Sequence, residues 1–397
     1  MKFNTVKLGE YLYIKGRIGW KGLKKKEYLE KSDFRIINGE SLTENGLDWN
    51  KAGYISKERY DESPEIMLQP DDILISKDGT IGKIGYVGQL DTPTTVASGI
   101  FVIRNQKPEI INTRFIYHFF CSKYFKNFIT MRTEGSVIPH LYQKDFVDLD
   151  FPLPELSVQN KIVGILDAIC NKIDLNKSIN ENLEQQIALL YENLCESQSW
   201  IACELENLIE VKDGTHDSPK PQTEGYLLVT SKHLLPYGVD RITPNRITEK
   251  DFKKINERSL VEHGDVLMSM IGTIGLISFV TDHTIDYAIK NVALFKTSKT
   301  PELAYYFLSF LKSKKTQQYI EMCLAGSTQK YISLGELRKM PIPNPDAAAL
   351  ANFNGIVTPM YQTIILNSQE NINLSLLRDT LLVKLISGEL DVSDIDI

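Results

Sequence analysis

The stretch DDILISKDGTIGKIGYV, residues 71–87, is spelled again, loosely, as GDVLMSMIGTIGLISFV at 264–280. Nine of the seventeen positions agree: Asp72/Asp265, Leu74/Leu267, Ser76/Ser269, Gly79/Gly272, Thr80/Thr273, Ile81/Ile274, Gly82/Gly275, Ile84/Ile277 and Val87/Val280. In both copies an alternating strand pattern enters a glycine turn and leaves as a second strand. The copies keep tracking one another. FIYHFFCSKYF (115–125) parallels YFLSFLKSKKT (306–316), EGS (134–136) parallels AGS (325–327), and FPLPE (151–155) parallels IPNPD (342–346). These later pairs share an offset of 191, against 193 for the first. One duplicated module with a small insertion or deletion accounts for both offsets.

Each module ends in a segment of different character. Ile162, Leu166, Ile169, Ile173, Ile179, Leu183, Ile187, Leu190 and Leu194 step by threes and fours, as do Phe353, Ile356, Met360, Ile364, Leu374, Leu381 and Leu385. This spacing predicts a first helix of about 40 residues, roughly 60 Å long, capped by Ser157. A second runs from Asp346 to Ser387 and stops at Gly388. Two acidic amphipathic helices of this length fit a paired coiled coil better than one globular core. The expected fold is therefore α+β. Two similar mixed α/β blocks, 1–152 and 200–343, are separated by two long helices, 153–199 and 344–397, paired as an antiparallel coiled coil. The offset of 191 equates Asn176 with Asn367, each in a gap of its apolar stripe. These two are expected to face one another and to fix the helix register.

The 397 residues carry a net charge of −6, but unevenly. Residues 1–150 hold 22 basic and 20 acidic side chains, and 200–342 hold 18 and 17. Residues 151–199 hold 3 and 7, and 343–397 hold 2 and 7, so the acid excess lies in the helical segments. The five cysteines show no CxxC spacing and read as reduced thiols. No apolar run suits a bilayer and the N-terminus has no signal-peptide core, so the expectation is a cytoplasmic protein without a membrane partner. No GxxxxGK[ST] loop, no HExxH and no Asn/Asp-Pro-Pro-Tyr/Phe sequence occurs. The six histidines show no metal-ligand spacing, and neither a catalytic residue nor a metal site is expected.

What remains is basic and small-polar sequence near the start of each block. In the first, IKGRIGWKGLKKKEYLEKSDFR (14–35) supplies Lys15, Arg17, Lys21, Lys24, Lys25 and Arg35 as candidates for DNA phosphates or base edges, with Trp20 as an anchor. Lys77, Lys83 and His140 join them. In the second, VKDGTHDSPKPQTEGYLLVTSKHL (211–234) supplies Lys212, Thr215, His216, Lys220, Ser231 and Lys232, with Lys290, Asn291 and Lys330 further on. Each of these side chains fits a solvated face as well, and His216 also fits a turn-stabilising role. The repeated glycines read as structural.

At this point the chain resembles the specificity subunit of Type I restriction–modification systems. The carriers are the order block–helix–block–helix, PLPELSVQNKI leading into the first helix, LISGELDV ending the second, GDVLMSMIGTIG within a block and DGTHDSP opening one. The resemblance spans essentially the whole length. It implies a non-catalytic chain whose two target-recognition domains read the halves of a split site on double-stranded DNA. Its helices would dock methyltransferase subunits, two copies being expected, and a restriction/translocase subunit. It implies no cofactor on this chain; S-adenosylmethionine, ATP and magnesium would be used by the partner subunits. Pro152, Pro154, Gln159 and Ile162 become candidate partner contacts, although PIPNPDAAALANF at the second helix lacks the Gln159 counterpart. A self-sufficient DNA methyltransferase or nuclease, and a coiled-coil scaffold binding only proteins, are the alternatives.

Overall fold

The computed structural model describes residues 3–18, 22–43, 46–133, 140–197, 200–326 and 330–392. It divides into two compact units, residues 1–173 with 373–397, and residues 174–372. Each unit holds one block and one end of both long helices.

In unit 1 a four-stranded antiparallel sheet runs in the order Leu12–Gly16, Ile100–Asn105, Ile73–Ser76, Ile84–Tyr86. A second sheet sets Arg35–Ile37 between Gly53–Tyr54 and Thr94–Val96, the latter pair parallel. Unit 2 repeats both. Its four-stranded sheet is Val211–Asp213, Val292–Phe295, Val266–Ser269, Ile277–Phe279. Its three-stranded sheet sets Tyr226–Val229 between Arg246–Ile247 and Tyr287–Ile289, again with the last pair parallel. The duplication seen in the sequence is a duplication of topology.

The geometry explains why the opening stretch is written twice. Ser76 Oγ donates to Thr80 O at 2.7 Å and accepts from Lys83 N at 2.9 Å, bracing the turn between two strands. Ser269 makes the same brace with Thr273 O and Leu276 N. Gly79 and Gly82, like Gly272 and Gly275, have φ between 69° and 85°, where a side chain is disfavoured. Asp72 and Asp265 are fully buried; Asp72 accepts from Arg104 at 2.7 Å and Asp265 from Lys296 at 2.6 Å. Strand register makes Arg104 and Lys296 equivalent, so each block pairs a buried aspartate with a cation at the same place.

Block 1 carries helices α1 (Lys57–Asp61), α2 (Thr113–Cys121) and α3 (Lys123–Thr133). The first long helix is α4, Leu156–Ser197. Block 2 carries α5 (Glu249–Ser259), α6 (Ala304–Lys312), α7 (Lys314–Met322) and α8 (Leu334–Arg338), and the second long helix is α9, Ala347–Ile386. Helix α4 begins at Leu156, so Ser157 lies inside its first turn and is not its cap. Asp346 does cap α9, accepting from Ala349 N at 2.8 Å, and Gly388 takes φ 73° just past its end.

The long helices are built into the block cores. In unit 1, Phe115 and Phe119 of α2 share one apolar cluster with Ile162 and Leu166 of α4 and Leu382 and Leu385 of α9. In unit 2, Tyr306 and Phe307 of α6 share a cluster with Ile187 and Tyr191 of α4 and Phe353, Val357 and Tyr361 of α9. Within unit 2 the helix pair is antiparallel: Asn176 meets Asn371, Asn180 meets Asn367, and Tyr191 meets Phe353.

The expected register needs correcting by one turn. Asn176 Nδ2 donates to Glu370 Oε2 at 2.7 Å and Asn371 Oδ1 at 2.9 Å. Asn367 Nδ2 donates to Asn180 Oδ1 at 2.9 Å. The repeat offset turns Asn176 and Asn180 into Asn367 and Asn371, so the two amide pairs are copies of each other. The position that meets its own counterpart is thus between them, at Ser178 and Gln369. The apolar stripe located the polar layer but carried no information about which asparagine of the other helix each would meet.

Candidate nucleic-acid interface

In block 2 the segment after strand Val211–Asp213 folds back on the parallel pair of strands. Gly214 lies so close to strand Tyr287–Ile289 that a Cβ would sit 2.3 Å from Ile289 O, so no other residue fits without a backbone shift. Thr215 N then donates to Ile289 O at 3.0 Å, and Asn291 N to Thr215 O at 3.1 Å. Asp213, nearly buried, is the hub. Its Oδ1 accepts from Arg258 Nη2 of α5 at 2.8 Å, and its Oδ2 lies 3.0 Å from His216 Nε2. The other ring nitrogen of His216 is 2.8 Å from Asn291 Oδ1, and Asn291 holds a left-handed φ of 54°. Lys290 Nζ bonds Ser218 Oγ. The structure therefore brings Thr215, His216, Lys290 and Asn291 together, with the ring of His216 largely exposed. Lys220, Lys232 and Lys330 are exposed, Ser231 is half-buried, and Lys212 pairs with Glu210 at 3.1 Å. Sequence reasoning missed Arg258 and Lys254; their signal was the i, i+4 run Lys250, Lys254, Arg258 on one helix face.

Block 1 arranges its basic residues differently. Lys15, Lys24 and Lys25 are exposed, with Lys15 over the Tyr13 ring at 5.9 Å. Lys21 and Trp20 lie outside the described residues, as does the EGS segment at 134–136. Arg17 is not a surface cation: it is 1% exposed, donates Nε to Val96 O at 3.1 Å and reaches Ser63 Oγ and Thr95 Oγ1. Strand register makes Gly214 the counterpart of Arg17 and Ile289 that of Val96. In block 1 the arginine side chain satisfies a carbonyl that block 2 satisfies with backbone. Arg35 is also structural, lying over the Trp49 and Tyr54 rings at 5.4 and 5.6 Å and bonded to Trp49 O. Lys77 is half-buried with its ammonium over Phe101, and Lys83 is half-buried. His140 Nδ1 bonds the Asp78 carboxylate beside the glycine turn.

The proposed partner contacts also turn inward. Gln159 is fully buried: its Oε1 accepts from Asn112 N at 2.8 Å, and its Nε2 donates to Ile110 O and Pro154 O. Ile162 is fully buried in the unit 1 core, and Pro154 is buried. Pro152 is half-buried in a strand opposite Thr5. Pro154, Gln159 and Ile162 seat α4 on its own block and present no free surface, while Pro152 keeps part of its ring exposed. One turn further along α4, Asp167 takes Nη2 of Arg114 at 2.5 Å and Nε2 of His118 at 2.7 Å. Burial by itself raises the Asp167 pKa, but the bonds from His118 and Arg114 outweigh it and hold the group at about 2. Burial lowers that of His118. Among the described residues no cluster of three His, Cys, Asp or Glu could hold a metal ion, and no helix is long and apolar enough to cross a membrane.

Two copies of one strand framework, each followed by a long helix, with polar loops held at one edge, define the class. The chain matches the Type I restriction modification DNA specificity domain family twice, over residues 2–185 and 203–375, and it belongs to that family. Among its relatives is the Type I restriction enzyme MjaIX specificity subunit of Methanocaldococcus jannaschii, 25% identical over 346 residues, 79% of this chain and 76% of that protein. The EcoKI specificity subunit of Escherichia coli K12 is 22% identical over 347 residues, 80% of this chain and 73% of its own. The fold is shared with the crystal structure of a Type I restriction–modification S subunit from M. genitalium, with a TM-score of 0.58 at 16% identity, covering 99% of this chain and 97% of that one.

Proposed function

We propose that this chain is the DNA-reading subunit of a Type I restriction–modification complex. Each block reads one half of a split site on double-stranded DNA. The long helices dock methyltransferase subunits, in two copies, and a restriction/translocase subunit joins them. Catalysis, S-adenosylmethionine, ATP and magnesium belong to those partners, and the assembly works in the cytoplasm. One observation carries this reading: the two blocks share the serine brace and the ion pair of a buried aspartate, yet differ in sequence between their first two repeated strands, at 17–34 and 214–225. A common scaffold with unlike polar loops is what two unlike base sequences require.

The test is an exchange of residues 200–343 for those of a relative, followed by mapping of methylated adenines in cells that carry the chain with its methyltransferase. One half of the motif should change and the other should stay. A change in both halves, or in neither, would overturn the assignment of one block to one half-site.

A further inference from the structure

Block 2 has an open concavity of about 390 Å3 between the loop at 215–219 and the face of α5 that carries Lys254 and Arg258. In block 1 the equivalent helix is shorter and lies under a loop segment. The helices are equivalent: Ser56 and Thr248 cap α1 and α5, and Tyr60 and Phe252 pack their rings on Phe34 and Tyr226. Beyond that point α1 stops at Asp61 while α5 continues to Ser259. The segment at 22–28 covers α1, with Arg59 bound to Gly22 O and Glu27, and the Tyr28 ring against Gly53. Where block 1 lays this segment over its short helix, block 2 leaves the face of α5 open.

We propose that Arg258 is the base-reading residue of block 2, presenting its guanidinium to a guanine in the major groove, while Lys250 and Lys254 grip flanking phosphates. This rests on the DNA-reading role proposed above and assigns its chemistry. Arg258 is pinned through Nη2, which donates to Asp213 Oδ1 at 2.8 Å and Gly214 O at 3.2 Å, and its side chain is 61% exposed. The tether leaves Nε and Nη1 as donors with fixed directions, each able to reach an O6 or N7 acceptor of guanine. The tether is itself over-determined. Asp213 also holds His216, His216 holds Asn291, and Asn291 takes a left-handed turn that asparagine accommodates. Lys250 and Lys254 precede Arg258 at four-residue steps on the same exposed face, and neither is paired with a carboxylate among the described residues. Free, flexible ammonium groups suit phosphate oxygens, which demand charge but no fixed direction.

The experiment uses the full chain assembled with its methyltransferase, with methylated-adenine mapping and salt-dependent binding to a duplex carrying the mapped site. Arg258→Lys keeps the charge but not the fork. It should relax one guanine position in the half read by block 2 by about 10- to 100-fold, leaving the other half as strict as before. Asp213→Asn, which weakens the positioning of Arg258 and of His216 without removing the guanidinium, should relax the same position less. Lys250→Ala and Lys254→Ala should leave the motif unchanged and each lower the slope of log K against log salt by about 0.9. A wild-type split motif beside an equally strict Arg258→Lys variant would overturn the arginine assignment alone. So would relaxation at a position in the other half. Unchanged salt slopes in both lysine variants would overturn the phosphate assignment. A wild-type complex that methylates with no sequence preference would overturn the DNA-reading role itself.

Discussion

At the same seam, between the first strand of the four-stranded sheet and the helix that precedes the repeated stretch, the two blocks use opposite arrangements of charge. In block 1 the loop gives the cation, Arg17, and the helix end gives Glu62 at 3.9 Å. In block 2 the strand end gives the anion, Asp213, and the helix gives Arg258 at 2.8 Å. The exchange moves the arginine from a buried side to an exposed one. A second exchange occurs where α2 and α6 meet the long helices. Arg114 and His118 of α2 bind Asp167 of α4, whereas at the equivalent positions Tyr305 stacks on Tyr361 of α9 at 4.8 Å and Ser309 bonds its hydroxyl at 2.9 Å. The duplication thus kept backbone geometry and contact sites while the contact chemistry diverged. Any function carried by a specific side chain is free to differ between blocks.

The sharpest break in this comparison is expected at the shared ion pair. Lys296 is almost fully buried with Asp265, while Arg104 beside Asp72 is 27% exposed. Asp265→Ala takes from the buried Lys296 ammonium its one buried carboxylate, leaving the half-exposed Glu262 at 2.6 Å, and should cost about 3 kcal/mol. Asp72→Ala should cost less, because water reaches Arg104. Chemical denaturation of the two full-length variants measures the difference, and equal losses would show that burial of the cation does not set the cost.

Next in size is the arginine exchange. Arg17→Ala strips the Val96 carbonyl of its donor and should destabilise by about 1–3 kcal/mol with no change in the methylated motif. Arg258→Ala should do the reverse, loosening the motif with little loss of stability. A motif change in the Arg17 variant at unchanged stability would invert the assignment.

The helix junctions should differ in their response to acid. Asp167 has a pKa depressed to about 2 from 3.8, so its contribution is complete above pH 4 and is lost as pH falls through 2. It amounts to about 2 kcal/mol. His118, with its pKa lowered by burial, is favoured as the neutral form, so acidification below its ordinary value of 6.5 weakens the same junction. Burial raises the Tyr305 and Tyr361 pKa values in block 2, so their junction does not titrate in that range. Hydrogen exchange, corrected for intrinsic rates, should show α2 losing protection between pH 7 and 4 and α6 keeping it. Parallel losses would count against the ionic junction.

The smallest effect is expected in the polar layer of the helix pair. Asn176 is fully buried and its Oδ1 has no hydrogen-bond partner. Replacing Asn176 and Asn371 together by leucine should raise the melting temperature slightly, by the equivalent of about 1 kcal/mol, while loosening helix register. Replacing Asn371 alone should lower it. A motif whose spacing stays fixed in the double variant would show that register is set elsewhere.

The repeat, the two strand-turn-strand units, both long helices and the stop at Gly388 follow from the sequence by itself, because each rests on local rules. Alternation, a 3.6-residue period and a left-handed glycine act within a few residues of chain. The same is true of the DGTHDSP loop, whose glycine and clustered polar residues mark a built turn. The fate of individual polar side chains was settled only by tertiary structure. Arg17 looks like any other member of a basic run, and its acceptor lies 79 residues away on a strand of the other sheet. Gln159 reads as an exposed helix residue until Asn112, 47 residues earlier, is folded onto it. Asn176 and Asn180 are indistinguishable along one helix; the packing of α4 on α9 chose which partner each would meet. Burial of a polar group depends on where distant chain segments arrive, and local pattern does not encode that arrival.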